Sequence, residues 1–442
     1  MSIHSMRASL ACAGSVAVLL AAAGGAQATW SIIMTDSETK EIAIGSCTCL
    51  TNFDLRENTP VMIVGIGGAT AQGLVDSGCT YRMQIHDFMV VYDMDPADII
   101  NIITGGGNAE SRQFGIVDTQ GRPATFTGSS TNDWAGGTVG SIGTLTYAVQ
   151  GNILPGAPVV GAAVAAIHDT PGDLAEKLMA SMEAAYLYGG DGRCSCPPPD
   201  APTDCGAPPD SFDKSAHIGY MLVSRLGDTD DFCDCNGGCA RGDYYMNLNV
   251  PFQQWDDPDP VLQLRDMYDA WRLDQQGRPD GLLSTVELSS PYLTADGEST
   301  VGMTVHLLDI DGAPVTEPVA SFTVAHDDDS AGAATIGPIV NFGDGVYSIT
   351  LQAGSATGAD VFKIIADDGI HPVQLSPPPT LIVRLPGDVN ADGAVDQADL
   401  GLLLATYELP SDDALFNGAA DFDGDGAVTQ SDLGVLLANY EA

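Results

Sequence analysis

The chain is poor in positive charge. Its 442 residues carry 16 Lys and Arg against 59 Asp and Glu, a formal net charge of −43. A surface of that sign repels phosphate backbones and anionic lipids, which argues against nucleic acid as a partner. Long apolar runs are absent after residue 22. The nearest, Val159 to Ile167, falls short of the ~20 residues that a bilayer-spanning helix needs, so no transmembrane segment is expected in the mature chain. Cysteine is absent after residue 240, which confines any disulfide or thiolate–metal chemistry to the first part of the chain.

What is present begins with an export signal. Met1 to Arg7 carries one positive charge, Ala8 to Ala22 is apolar, and Ala26 and Ala28 supply a small-x-small cleavage pattern. Residues 1–28 are therefore expected to be removed, leaving a secreted or cell-surface protein at −44 that begins at Thr29. An N-terminal threonine holds a nucleophilic hydroxyl and a basic α-amine in one residue. That amine titrates near ~7.7–8.0 and can accept the hydroxyl proton at neutral pH.

Nine cysteines remain after cleavage, clustered at 47/49, 79, 194/196/205 and 233/235/239. Export favours disulfides, and zinc ligation is the alternative for such spacings. An odd count leaves one thiol free or paired with another chain. Residues 194–214, with Cys194-Ser-Cys-Pro-Pro-Pro and Ala207-Pro-Pro, read as a proline-rich insertion pinned by cysteines.

Elements in the first part alternate in blocks. Thr29 to Thr35 and Glu41 to Ser46 read as strands about a polar turn, and Val61 to Ile66 as a third closed by Gly67-Gly68. Asp95-Pro96 opens a helix, and Phe114 to Asp118 with Ala124 to Thr127 make a hairpin about Thr119 to Arg122. Gly143 to Gln150 is a strand, and helices follow near Val159 and from Asp173. Ser215 to Arg225 and Tyr244 to Val250 are late strands, and Asp259-Pro260 caps a last helix. From about Leu282 short strands alternate with turns, which predicts an all-β sandwich over 282–384.

The tail is an internal repeat. Gly387 to Tyr407 matches Ala420 to Tyr440 position for position. Each copy places oxygens where a calcium loop needs them, around a sharp glycine turn. The first offers Asp388, Asn390, Asp392, the Ala394 carbonyl, Asp396 and Asp399. The second offers Asp421, Asp423, Asp425, the Ala427 carbonyl, Thr429 and Asp432. Two Ca2+ sites are expected there.

These features resemble known families. The repeat over 385–442, with Leu-Gly-x-Leu-Leu after each loop, resembles a type I dockerin, a small α module with paired calcium loops. The resemblance implies docking onto a cohesin-like scaffold or cell-surface protein, read through Gln397-Ala398 and Gln430-Ser431. The 33-residue spacing from Asp388 to Asp421 is longer than is typical. The β segment resembles bacterial Ig-like repeats of the invasin/intimin type, through Leu293 to Thr300, Val305 to Val315 and Gly343 to Leu351.

Residues 29–275 resemble the bacterial domain of unknown function ten-twenty-eight, placed among N-terminal-nucleophile (Ntn) hydrolases. The matching text is Thr29-Trp-Ser-Ile, Arg112 to Asp118, Gln150-Gly-Asn-Ile-Leu154, Gly189-Gly-Asp-Gly-Arg193 and Asp257 to Val261. Where the family usually has an Arg-bearing loop, this chain has Cys47-Thr-Cys49. The resemblance implies an α+β fold, a four-layer αββα sandwich with Thr29 opening a central strand. The expected activity is amide-bond hydrolysis of a small molecule or peptide by acyl transfer from Thr29. Asn152, placed in a turn after a strand, is the oxyanion candidate, and Asp118 and Arg122 are candidates to orient amine or substrate. The alternatives are a non-catalytic αββα binding module, or an accessory to a polysaccharide-degrading or cell-surface assembly.

Overall fold

The computed structural model describes residues 29–441 apart from 133, 199, 201, 202 and 329. The expected leader lies outside the described residues. The protein is multidomain: an N-terminal α/β part, a β-sandwich and a small helical tail.

In the first part the elements are β1 Thr29–Asp36, β2 Ile42–Thr48, β3 Pro60–Ile63, β4 Gly67–Gln72, α1 Thr80–Tyr92 and α2 Pro96–Thr104. Then come β5 Gln113–Asp118, β6 Pro123–Thr127, β7 Ala135–Ile142, β8 Leu145–Asn152, α3 Pro158–Asp169, α4 Leu174–Leu187 and the single turn α5 Gly192–Ser195. β9 Ile218–Ser224, the short pair β10 Thr229–Asp230 and β11 Gly242–Asp243, β12 Met246–Val250 and α6 Pro260–Asp274 complete it. One antiparallel sheet runs β12-β9-β2-β1-β8-β7, so β1 sits at its centre, and a second runs β3-β4-β5-β6.

Strand alternation sorts side chains to the two faces of the larger sheet. Trp30, Ile32, Met34, Ala43 and Cys47 face α3, α4 and α6, whereas Ile33, Ile44 and Ala148 meet Met62 and Val117 of the second sheet. The outer face of the second sheet is covered by α1 and α2 through Ile85, Met89, Ile99 and Ile103. The two sheets approach closely because β4 begins with two glycines. A Cβ on Gly68 would lie 2.8 Å from Ile44 Cδ1, and one on Gly67 2.5 Å from Met89 Cε. β4 and β7 were not read from the sequence: the glycines of both erase the β signal there.

Helix starts follow local chemistry. Asp95 accepts from the Ala97 N–H and Asp259 from the Val261 N–H, each before a proline at the first helical position. All nine described cysteines are accounted for as disulfides 49–194, 79–235, 196–205 and 233–239 plus a buried thiol, Cys47. Zinc ligation by these cysteines is thereby corrected, and burial of Cys47 removes the pairing with another chain.

The sandwich pairs β13 Thr285–Leu288, β15 Thr300–His306, β19 Val346–Ala353 and β17 Ala334–Ile336, with β18 Val340–Gly343 also on β19. Opposite lie β14 Tyr292–Thr294, β22 Thr380–Arg384, β20 Gly358–Asp367 and β16 Ser321–His326, with β21 Pro372–Gln374 on β20. Met303, Ile349, Leu351, Phe362 and Ile364 fill the space between. The tail has helices α7 Gln397–Thr406 and α8 Gln430–Ala438, packed through Leu403 and Leu436.

The joint between the first part and the sandwich is polar and buried. Arg225 lies 2.7 Å from Glu41 Oε1, 3.0 Å from Asp173 Oδ2 and 2.8 Å from Asp280 Oδ2, with its guanidinium 3.5 Å from the centre of the Tyr245 ring. Nearby, His371 of the sandwich reaches Asp228 and Asp243 of the first part. At the second joint Arg384 stacks between the rings of Tyr292 and Phe422 and donates to the Val389 carbonyl.

Candidate functional site

β1 places Thr29 at the end of the central strand, opposite Asn152 on β8. The Thr29 backbone nitrogen lies 3.2 Å from Asn152 Oδ1, and both residues are fully buried. Alternation puts the Thr29 side chain on the face shared with Ser31 and Ile33, between the two sheets. Asn152 is the last residue of β8, not part of a turn as expected.

A polar network underlies this position. Gln72 Nε2 donates to the Thr29 carbonyl at 2.9 Å and to Gln113 Oε1 at 3.1 Å. The Ser31 hydroxyl bonds to Gln72 Oε1 and to Ser46 Oγ, and Ser46 donates to the Trp30 carbonyl. Gln113 Nε2 donates to the Gly151 carbonyl at 2.8 Å. Sequence reasoning missed Gln72, Gln113, Ser31 and Ser46. The available signal was polar residues at sheet-facing positions of strands that are otherwise apolar, since buried polar side chains are kept where partners await them.

Beside Thr29 lies the tip of β2. Trp30 pairs with Cys47, and continuing that register by one sets Thr29 beside Thr48, side chains on the same face. Arg193 Nη2 lies 3.3 Å from Thr48 Oγ1 and 2.7 Å from the buried Asp191 carboxylate. Asp191 also accepts from the Cys49 N–H, and the Cys49–Cys194 bridge ties this corner to α5. An arginine thus does stand at the Cys47-Thr-Cys49 loop, supplied from 146 residues further along in sequence rather than from the loop itself.

Asp118 and Arg122 are not brought to Thr29. They form a turn-closing ion pair of 2.6 Å at the far end of β1, where Thr35 donates to the Asp118 carbonyl and Arg122 also faces Asp93. Six residues of strand, ~20 Å, separate that turn from Thr29. Their expected part in orienting the Thr29 amine is corrected on that ground.

The Thr48 carbonyl accepts from the His217 N–H at 2.9 Å. His217 Nδ1 lies 3.2 Å from Lys214 Nζ, and burial, then the Lys214 charge, lower the imidazole to about 4, so it is neutral at pH 7. Its ring stands edge-on to Trp255. Lys214, Arg193 and Trp255 border a cleft of about 640 Å³.

In the tail, Asp396 and Thr429 cap α7 and α8, and Asp399 and Asp432 close each capping box. Asp388 and Asp421 accept from the glycine N–H groups at the loop turns, Gly393 and Gly426. Carboxylate oxygens of Asp421, Asp423 and Asp432 converge within 4.8 Å of one another. Burial first, then neighbouring carboxylates, raise Asp388 and Asp421 above the usual range. Clustered, mutually repelling carboxylates around a glycine turn fit a hard divalent cation.

Three family models match the chain. The family of unknown function DUF1028 matches residues 29–196, invasin domain 3 matches 280–367, and the type I dockerin domain matches 386–440. Among solved structures, a Silicibacter pomeroyi protein of the DUF1028 family is 18% identical, with 55% of this chain and 85% of that one covered at a TM-score of 0.40. The Yersinia pseudotuberculosis adhesin InvE is 27% identical over 24% of this chain, and InvD of the same species 24% identical over 22%, at TM-scores of 0.19 and 0.18. This chain spans 27% of the length of each adhesin structure. No curated protein matches the chain. Type I dockerins are calcium-binding modules that dock onto cohesins. No helix among the described residues is long and apolar enough to cross a membrane.

Proposed function

We propose that residues 29–275 form an Ntn-type amidohydrolase with αββα layering, exported by removal of residues 1–28 and acting on a C–N amide bond through Thr29. The observation that carries this reading is the pairing of the Thr29 nitrogen with Asn152 at the buried end of the central strand. Once freed, the amine at that nitrogen takes the Thr29 hydroxyl proton as the oxygen adds to the amide carbonyl. The amine then hands that proton to the leaving nitrogen as the C–N bond breaks. Water adds to the resulting ester, releases a carboxylic acid and restores the hydroxyl. Asn152 Oδ1 is committed to the Thr29 nitrogen, so we assign Asn152 to orient the amine rather than to hold the oxyanion. Gln72 fixes the Thr29 carbonyl.

The sandwich over 282–384 is a spacer in this reading. The tail over 385–442 takes two Ca2+ ions through the carboxylates, Asn390, Thr429 and loop carbonyls of its two copies, and docks onto a cohesin-like partner. The ions supply folding energy to the loops. The second reading, a non-catalytic surface or assembly protein, is favoured by the invasin-like and dockerin matches. N-terminal sequencing of secreted protein separates the two: the hydrolase must start at Thr29. An acyl-type covalent probe should label wild type and spare Thr29→Ala. A different first residue, or equal labelling of both proteins, leaves the binding reading.

A further inference from the structure

Lys214 is a buried cation without an ion pair. It is 7% exposed, and no carboxylate lies within 4.0 Å of its ammonium among the described residues. Two of its three N–H donors go to neutral acceptors, His217 Nδ1 at 3.2 Å and the Gln254 carbonyl at 2.8 Å. A buried charge is costly unless it is paired. Here the side chain borders the cleft of about 640 Å³, so the missing counter-charge has room to arrive from outside.

The rest of the cleft limits what that ligand is. Phe212, Pro197 and Pro198 line it with apolar surface, and Trp255, 65% exposed, stands at its edge. An exposed tryptophan beside a concave wall is suited to covering an apolar group. Asp213, Asp256 and Asp257 also line the cleft, and they disfavour a second negative charge on the ligand. The cleft adjoins the Thr29 corner: Arg193 lines it and reaches Thr48, and the His217 backbone holds the Thr48 carbonyl.

We propose that this cleft is the leaving-group subsite for Thr29 and takes an amino acid with an apolar side chain, joined through its nitrogen to the scissile acyl group. The carboxylate pairs with Lys214, and the side chain lies against Trp255 and Phe212. The substrate class is thus N-acyl amino acids and the C-terminal end of short peptides. This rests on the hydrolase reading for the reaction, but the binding event does not.

The probe is N-acetyl-L-phenylalanine, titrated calorimetrically into the full secreted chain, with its methyl ester and N-acetyl-L-glutamate as comparisons. The free acid should bind at least tenfold tighter than either. Lys214→Met should lose that preference, and Trp255→Ala, a change at an exposed position, should weaken the acid at least fivefold. Equal binding of acid and ester to wild type overturns the proposal, as does an undiminished acid affinity in Trp255→Ala. If Lys214→Met does not fold, the ester comparison and Trp255→Ala decide alone. Thr29→Ala should bind the acid as wild type does. Binding there, combined with no acyl labelling of wild type, keeps the subsite and discards the hydrolase.

Discussion

The Thr29 nitrogen donates to Asn152 Oδ1 across the β1–β8 ladder, 3.2 Å apart and sealed from water. Asn152→Ala removes the only described acceptor for that buried donor. Leaving it unmade costs about 1–3 kcal/mol. We expect acyl-probe labelling to slow by roughly 10- to 100-fold, since 1.4 kcal/mol is a factor of about ten. A labelling time course on wild type and variant, matched for urea midpoint, measures it.

Glu41 is fully buried beside Arg225, and burial raises its carboxyl to about 7 despite that arginine. The folded protein therefore holds a proton that the unfolded chain releases between its ordinary value, near ~4.3, and about 7. Over that window the native state binds more protons, so stability falls as pH rises. Glu41→Gln should flatten this slope, read from melting temperatures between pH 4.5 and 7.5. Arg225→Met should instead destabilise by about 3–5 kcal/mol, because it strands buried carboxylates.

His371 Nε2 lies 3.0 Å from Asp228 and Nδ1 3.4 Å from Asp243, an arrangement that needs both ring nitrogens protonated. The hydrogen bond to Asp228 raises its pKa above the usual value. A raised base contributes fully below ~6.5 and loses its contribution as pH rises through the folded value. The joint between the first part and the sandwich should become more open to proteolysis as pH climbs from 6 towards 9. His371→Gln should show the alkaline susceptibility already at pH 6.

Chelation is expected to act on the tail and its joint. EDTA should expose residues 385–441 to protease and leave the first part resistant. Arg384 stacks on Phe422 of the second loop and donates to the first, so the sandwich–tail joint should loosen with it. Calcium affinity should be weaker at pH 5 than at pH 7, because protons compete at the raised Asp388 and Asp421. Calorimetric titration at both values checks this.

Local chemistry was readable where it is local. Asp95-Pro96 and Asp259-Pro260 announce helix starts because cap and proline act within one turn, and the tail repeat declares itself by self-match. The strand of Thr29 and its exported context were likewise legible. The partners of Thr29 were not. Gln72 and Gln113 come from the second sheet, and Arg193 from beyond α4; nothing in chain order says which end of β1 each will meet. Asp118 and Arg122 illustrate the converse. Their turn chemistry was correctly seen, and its location, at the opposite end of the strand, depends on register that only pairing with β4 sets.

The buried arginine at the first joint and the stacked one at the second leave little slack between modules. A body held by its tail on such a spine works like a bracket on a wall. The mouth beside Lys214 would face a constant direction and stand at a set height above whatever the tail grips, so reach, as much as chemistry, would decide which molecules it meets.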